Sequence, residues 1–234
     1  MKKITCVLSM MCLAVCLAFQ SCDDGDGYSL GDFTAPQLAT VRALGGNAFY
    51  LDCDVWGTCW PVNTDMGWYV PIDGQRVVTV FNPLWDDYEG YDHAVKILEI
   101  QNVLTKRVEL MAPQDEDKFG NEAVPTTADG ITIGNGYLNV SFVGRLPFTT
   151  SVSLVYPQQA DAPEFVMGED GYYDLELRCN TQVDEEMPGS YSMVSYSLSA
   201  LSFPAGFRGI RLKVNLAGEG EKELVYTLVQ EGEY

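Results

Sequence analysis

Few residues in this chain could do chemistry, because its 234 residues hold a single histidine, His93, beside 33 acids and seven cysteines. A Ser-His-Asp or Cys-His triad would have to use His93, which follows Tyr91 and Asp92 at the start of an apolar alternation. A structural histidine accounts for that position without a nucleophile. Carboxylates are dense at Asp86, Asp87, Glu89 and Asp92, and again at Asp115, Glu116 and Asp117. Glycoside hydrolysis needs two carboxyls at a set separation, which only folding defines. Acidic runs in an acidic chain ordinarily face solvent, so no catalytic residues are assigned.

Two cysteine-containing stretches carry other chemistry. Cys53 and Cys59 bracket Asp-Val-Trp-Gly-Thr, a turn-like segment that can bring two α-carbons within disulfide range. Export would favour that bridge; packing as two small hydrophobic thiols is the alternative. With one histidine and no Cys-x-x-Cys, a zinc site is not expected. The other stretch is Cys22-Asp-Asp-Gly-Asp-Gly. As a calcium loop beginning at Asp24 it fails, because Tyr28 falls at ligand position 5 and Ala35 at position 12. No metal or cofactor is expected.

The residues before Cys22 give it another meaning. Lys2 and Lys3 precede an apolar run from Ile4 to Phe19, the charged start and apolar middle of a secretory signal, too short for a membrane span. Ser21 places a small residue before Cys22, as lipoprotein processing requires. Residues 1–21 therefore read as a lipoprotein signal peptide and Cys22 as the lipidated first residue of the mature chain. Several acyl chains anchor firmly, since each buried methylene contributes ~0.8 kcal/mol. Asp23, Asp24 and Asp26 then read as an export signal on an acidic tether, 22–36, that carries the protein to the outer membrane, facing the cell exterior.

The whole chain has a formal charge of −19; the signal holds two lysines and no acid, so the mature chain carries −21. That charge excludes nucleic acid, whose phosphates need cationic neutralisation, and excludes lying flat on anionic lipid. All four tryptophans, Trp56, Trp60, Trp68 and Trp85, fall within 30 residues, with Tyr69, Tyr88 and Tyr91 among them. With Asp86 and Asp87 they could form a ligand face for a sugar ring or a peptide. Equally, the rings could fill the core of a small domain, where each buries 150 to 250 Å².

The elements that must position these residues are strands. Apolar residues recur with period two almost throughout, and no helix-length stretch keeps a period of 3.6. Leu38–Leu44 and Ala48–Cys53 flank Gly45 and Gly46 as a hairpin. Short strands follow at Thr58–Val62 and Gln75–Leu84, then a long strand or a bent strand pair over Asp92–Leu110. This predicts a small OB-like barrel over 37–111. The polar, proline-punctuated residues 112–128 read as a linker. Beyond it, about seven strands with regular turn signals predict an antiparallel β-sandwich over 129–234. In its closing strand Ile210, Leu212, Val214 and Leu216 should face inward, and Arg211, Lys213 and Asn215 outward.

In order, "SCDDGDGYSLGDF", "ATVRALGGNAFYLDCD", "WPV", "DGQRV", "GYDHAVKI", "NVLTK", "IGNGYLNVSF" and "GYYDLELR" resemble the NigD-like lipoproteins of Bacteroidetes over almost the whole mature chain. The resemblance implies an N-terminal OB-like domain and a C-terminal β-sandwich. It also implies a role beside the bacteriocin nigrescin, as immunity or accessory protein, and brings no catalytic residues. The function expected is thus that of a non-catalytic surface lipoprotein with a binding or accessory role toward another macromolecule, protein or glycan. The alternative is a glycan-binding or glycan-processing lipoprotein acting through Trp56, Trp60, Trp68, Tyr69, Trp85, Asp86, Asp87 and Tyr88. Oligomeric state is not legible.

Overall fold

The computed structural model describes residues 34–146, 151–158, 164–181 and 191–228. The signal peptide, Cys22 and the aspartates at 23, 24 and 26 lie outside the described residues. Fourteen strands run in chain order as β1 (Gln37–Gly45), β2 (Ala48–Cys53), β3 (Gly57–Pro61), β4 (Arg76–Tyr88), β5 (Tyr91–Asn102), β6 (Leu104–Arg107), β7 (Glu109–Met111), β8 (Ile131–Gly134), β9 (Tyr137–Leu146), β10 (Ser151–Pro157), β11 (Tyr172–Asn180), β12 (Tyr191–Ser197), β13 (Gly209–Leu216) and β14 (Gly220–Thr227).

The first five close into a barrel in the order β1-β2-β3-β5-β4. Alternation in β1 and β2 sends Ala39, Val41, Phe49, Leu51 and Cys53 inward, where they meet Cys59, Val77, Phe81, Val95 and Ile97. β4 and β5 make a long hairpin whose ladder slips at Val80/Phe81 and again between Pro83 and Trp85. Proline cannot donate to a ladder, and a bulge is where sheets tolerate it.

The remaining strands form a sandwich of two sheets, β14-β13-β11-β10-β7 and β6-β12-β9-β8. Alternation in β13 buries Ile210, Leu212, Val214 and Leu216, as expected, against Tyr173, Leu175, Leu177 and Tyr196. β8 and β9 turn at Asn135 and Gly136, both with positive φ, the Asn-Gly chemistry that two-residue hairpins favour.

Two domain boundaries are corrected. The stretch Asp92–Leu110 does not belong wholly to the barrel. β5 ends at Asn102, β6 pairs in parallel with β12, and β7 pairs in parallel with β10. The barrel therefore ends near residue 103 rather than 111. Residues 112–128 are not a free linker either. They contain a 3-10 turn (Pro113–Asp115) and a helical turn (Glu116–Phe119), and lie against the sandwich. Phe119 packs with Met111 and Val155, and Val124 is fully buried and bridged to Leu216. Polar composition suggested a linker, but two apolar residues at Phe119 and Val124 suffice to pin the segment.

The domains are locked by a polar interface. Arg76, wholly buried on β4, donates through Nη1 and Nη2 to the two carboxylate oxygens of Asp54 at 2.7 and 2.6 Å. It also donates to Thr40 in the barrel and to Asn139 of β9, at 3.0 and 3.4 Å. Ser195 of β12 donates to the same Asn139 oxygen at 2.7 Å, and the Tyr137 ring lies 4.7 Å from the guanidinium carbon. Tyr137 donates to the Gly74 carbonyl and Asn135 to that of Asp52. A Cβ on Gly134 would lie 2.6 Å from an Asp54 oxygen, so this hairpin approaches the barrel as only glycine allows.

Candidate functional site

The rings that the sequence grouped do not share one fate. Trp56 packs against the barrel core, its ring centroid 5.5 Å from Phe81 and 5.0 Å from His93. Tyr69 is buried, tilted on Phe49, with its hydroxyl donating to Asn102 at 3.3 Å; burial pushes that phenol up. Both are core. Trp68 is 68% exposed but lies elsewhere, beside a cleft lined by Pro36, Val78, Val80 and Ile100.

Trp60, Trp85 and Tyr88 do come together. Trp60 on β3 pairs with Ala94 on β5, and Ala94 pairs with Trp85 on β4. Paired residues project to the same side, so both indoles stand in one row on the outer wall, about 10 Å apart at their α-carbons by strand spacing. Ala94 between them is fully buried. A tyrosine backs each indole. Tyr91 lies 4.9 Å from Trp60 at 32°, and Tyr88 stacks on Trp85 at 6.3 Å and 24°. Tyr88 and Tyr91 are themselves cross-strand partners. Tyr50, on the outward side of β2, adds a fifth ring 5.3 Å from Tyr91. The alternation of Ala48–Cys53 could have placed Tyr50 outward, but nothing in the sequence tied it to Tyr91, 41 positions away.

Local backbone aims this patch. The bulge between Pro83 and Trp85 turns Trp85 out, to 57% exposure. At the hairpin tip Asp87 and Glu89 have φ of 50° and 49°, a left-handed conformation that non-glycine residues rarely adopt. That turn breaks strict alternation, which is how residues 85 and 88 stack on one side. Asp87 and Glu89 remain exposed at the tip beside the rings, and Asp86, also exposed, pairs with His93 on the other side.

The acids nearby are tied differently. Asp86 meets Nδ1 of His93 at 2.5 Å. Asp92 accepts from the Thr58 amide and hydroxyl, both at 2.7 Å, and these bonds hold its carboxyl below the usual range. Among the described residues no group of three or more His, Cys, Asp or Glu is placed to hold a metal ion. Cys53 and Cys59 are buried free thiols in the barrel core, sulfurs 3.7 Å apart with Cys53 donating. That hydrogen bond and burial push the Cys53 thiol far up. Cys179 is buried in the sandwich and pushed up to about 11, chiefly by burial.

Among the described residues no helix is long and apolar enough to cross a membrane. A search of curated proteins returns no match. Solved structures do resemble this chain. A protein of unknown function from Bacteroides vulgatus ATCC 8482 is 24% identical, with a TM-score of 0.67 over 86% of this chain and 93% of that one. A candidate toxin-related protein from Parabacteroides distasonis ATCC 8503 is 28% identical, with a TM-score of 0.62 over 84% and 94%. A NigD-like immunity protein from Bacteroides caccae ATCC 43185 is 18% identical, with a TM-score of 0.52 over 83% and 92%. The model of the NigD-like N-terminal OB domain matches residues 38–103 and that of the NigD-like C-terminal beta sandwich domain matches 107–228, meeting where β5 gives way to β6. With barrel, sandwich and boundary all accounted for, the chain belongs to the NigD-like family.

Proposed function

We propose that this protein is a non-catalytic lipoprotein, anchored through Cys22 to the outer membrane and facing the cell exterior. There its outer barrel wall binds a macromolecular partner in an immunity or accessory role. The observation that carries the reading is the row of half-buried Trp60 and exposed Trp85 on the outer barrel wall. Exposed aromatic patches on soluble domains mark interaction sites, and aromatic anchors dominate binding energies when they become buried. The bacteriocin-linked role is supported by the family and by the immunity protein among its structural relatives. Absence of catalysis is inferred from His93, which is held by Asp86 beneath Trp56.

The test is affinity capture on intact cells with the lipidated protein, compared with a Trp60→Ala/Trp85→Ala variant. Recovery of one partner with the native protein and its loss with the variant is expected; equal recovery would overturn the assignment of the face. Cys22→Ala should abolish surface labelling. Cleavage of polysaccharides by the native protein would overturn the non-catalytic reading.

A further inference from the structure

The class of partner is carried by the chemistry around the rings. We propose that the Trp60–Trp85 face binds a positively charged peptide segment, its lysine or arginine side chains lying over the indoles and answered by the carboxylates of the hairpin tip. This rests on the binding role proposed above and names the ligand class for that site.

Three observations support it. The rings are not sealed in a core: Trp85 is 57% exposed and Trp60 half-buried, and each indole is braced by a tyrosine. Aromatic faces attract cations. The hairpin tip beside Trp85 and Tyr88 carries one sign of charge. Asp86, Asp87 and Glu89 stand at the tip, and between Arg76 and Lys96 the sequence holds no lysine or arginine. Arg76 is itself buried under the sandwich, and exposed Lys96, two positions from Ala94 on β5, stands on the same side but further from the tip. Finally, two tip residues, Asp87 and Glu89, are held in a left-handed backbone conformation although neither is glycine. Such outliers persist where the surroundings demand them and cluster at binding sites; here the conformation sets acids beside the Trp85–Tyr88 stack.

The mature charge of −21 extends the same preference to long range, steering a cationic partner and repelling an anionic one. A neutral glycan would use the ring faces and hydroxyl acceptors but would gain nothing from that field. The charge therefore favours the peptide.

Octa-arginine, octa-glutamate and cellohexaose, titrated into the mature protein under tryptophan fluorescence, decide the matter. Octa-arginine is expected to bind and shift the emission, while octa-glutamate and cellohexaose leave it unchanged. Trp60→Ala/Trp85→Ala and Asp87→Asn/Glu89→Gln should each weaken octa-arginine roughly tenfold or more. Trp68→Ala and Asp115→Asn/Asp117→Asn, away from the face, should leave it within about twofold. Unchanged thermal unfolding of each variant excludes misfolding as the cause. Equal weakening by the remote acidic variant would mean diffuse attraction to an acidic protein and would overturn the site. Binding of cellohexaose, lost in the Trp60→Ala/Trp85→Ala variant, would overturn the ligand class and assign a glycan. If no probe binds while whole-cell capture through this face succeeds, the cationic class falls and the binding role stands.

Discussion

The sandwich and the barrel use aromatic residues in opposite ways. In the sandwich Tyr156, Tyr173 and Tyr196 are buried, and their hydroxyls donate to the backbone carbonyls of Val166, Ser202 and Val152. In the barrel, Trp60 and Tyr91 are half-buried on the outer wall and Trp85 is exposed. A two-sheet sandwich has room between its layers for large side chains whose polar tips reach backbone at the rim. A five-stranded barrel has a narrow interior, filled here mainly by alanine, valine, leucine, cysteine and phenylalanine, so most of its rings are displaced outward. The face proposed above accordingly lies on the domain that cannot bury its aromatics.

Breaking the contact between the two regions should have the largest effect. Arg76→Met removes one member of a buried pair and strands Asp54, at a cost of about 3–5 kcal/mol. All four tryptophans lie in the barrel, so their fluorescence follows the barrel while far-ultraviolet dichroism follows both domains. The native protein should show coincident urea transitions by the two probes, and Arg76→Met separated ones. Arg76→Met/Asp54→Leu should recover most of the loss, since an apolar pair leaves no unpaired charge.

Next in size is the Cys53–Cys59 bridge, proposed for the exported protein. Closing a loop this short would stabilise the barrel alone, by about 2 kcal/mol, the two thiols passing two electrons and two protons to the thiol oxidants of that compartment. Alkylation of envelope-derived protein in denaturant without reductant should then label Cys179 alone; labelling at all three positions means the pair stays reduced.

Tyr173→Phe should cost about 1 kcal/mol by leaving the Ser202 carbonyl without its donor, whereas Trp85→Ala should change stability by less than about 0.5 kcal/mol. Urea midpoints for the two variants measure the contrast directly. A Trp85→Ala loss as large as that of Tyr173→Phe would mean the outer rings are structural.

The smallest effect is pH dependence at the barrel rim. Thr58 holds the Asp92 carboxyl below its usual range, so the stabilisation is present above the unfolded value, near 4, and is lost as pH falls through the folded value. Asp92→Asn should lower stability slightly at neutral pH and leave it unchanged in strong acid, flattening the acid limb of the barrel's fluorescence transition, a small effect because Asp92 is exposed.

What the sequence alone determined was whatever depends on near neighbours. Period-two alternation specified β-structure throughout and the inward face of β13; Gly45-Gly46 and Asn135-Gly136 specified two hairpins; the clustering of tryptophans specified which domain holds the rings. Tertiary structure decided the rest, because it depends on partners far along the chain. Asp92–Leu110 reads as a long strand or bent strand pair of the barrel, and only the parallel pairing of β6 with β12 and of β7 with β10 divides it between domains. Nothing near Arg76 in the sequence ties it to Asn139, 63 residues later, which the fold brings over it. Trp60 and Trp85 become one face because each pairs with Ala94, whereas Trp56 and Trp68, equally close in sequence, are turned away. Alternation tells a side chain which way to point from its own strand; strand order decides what it then finds there.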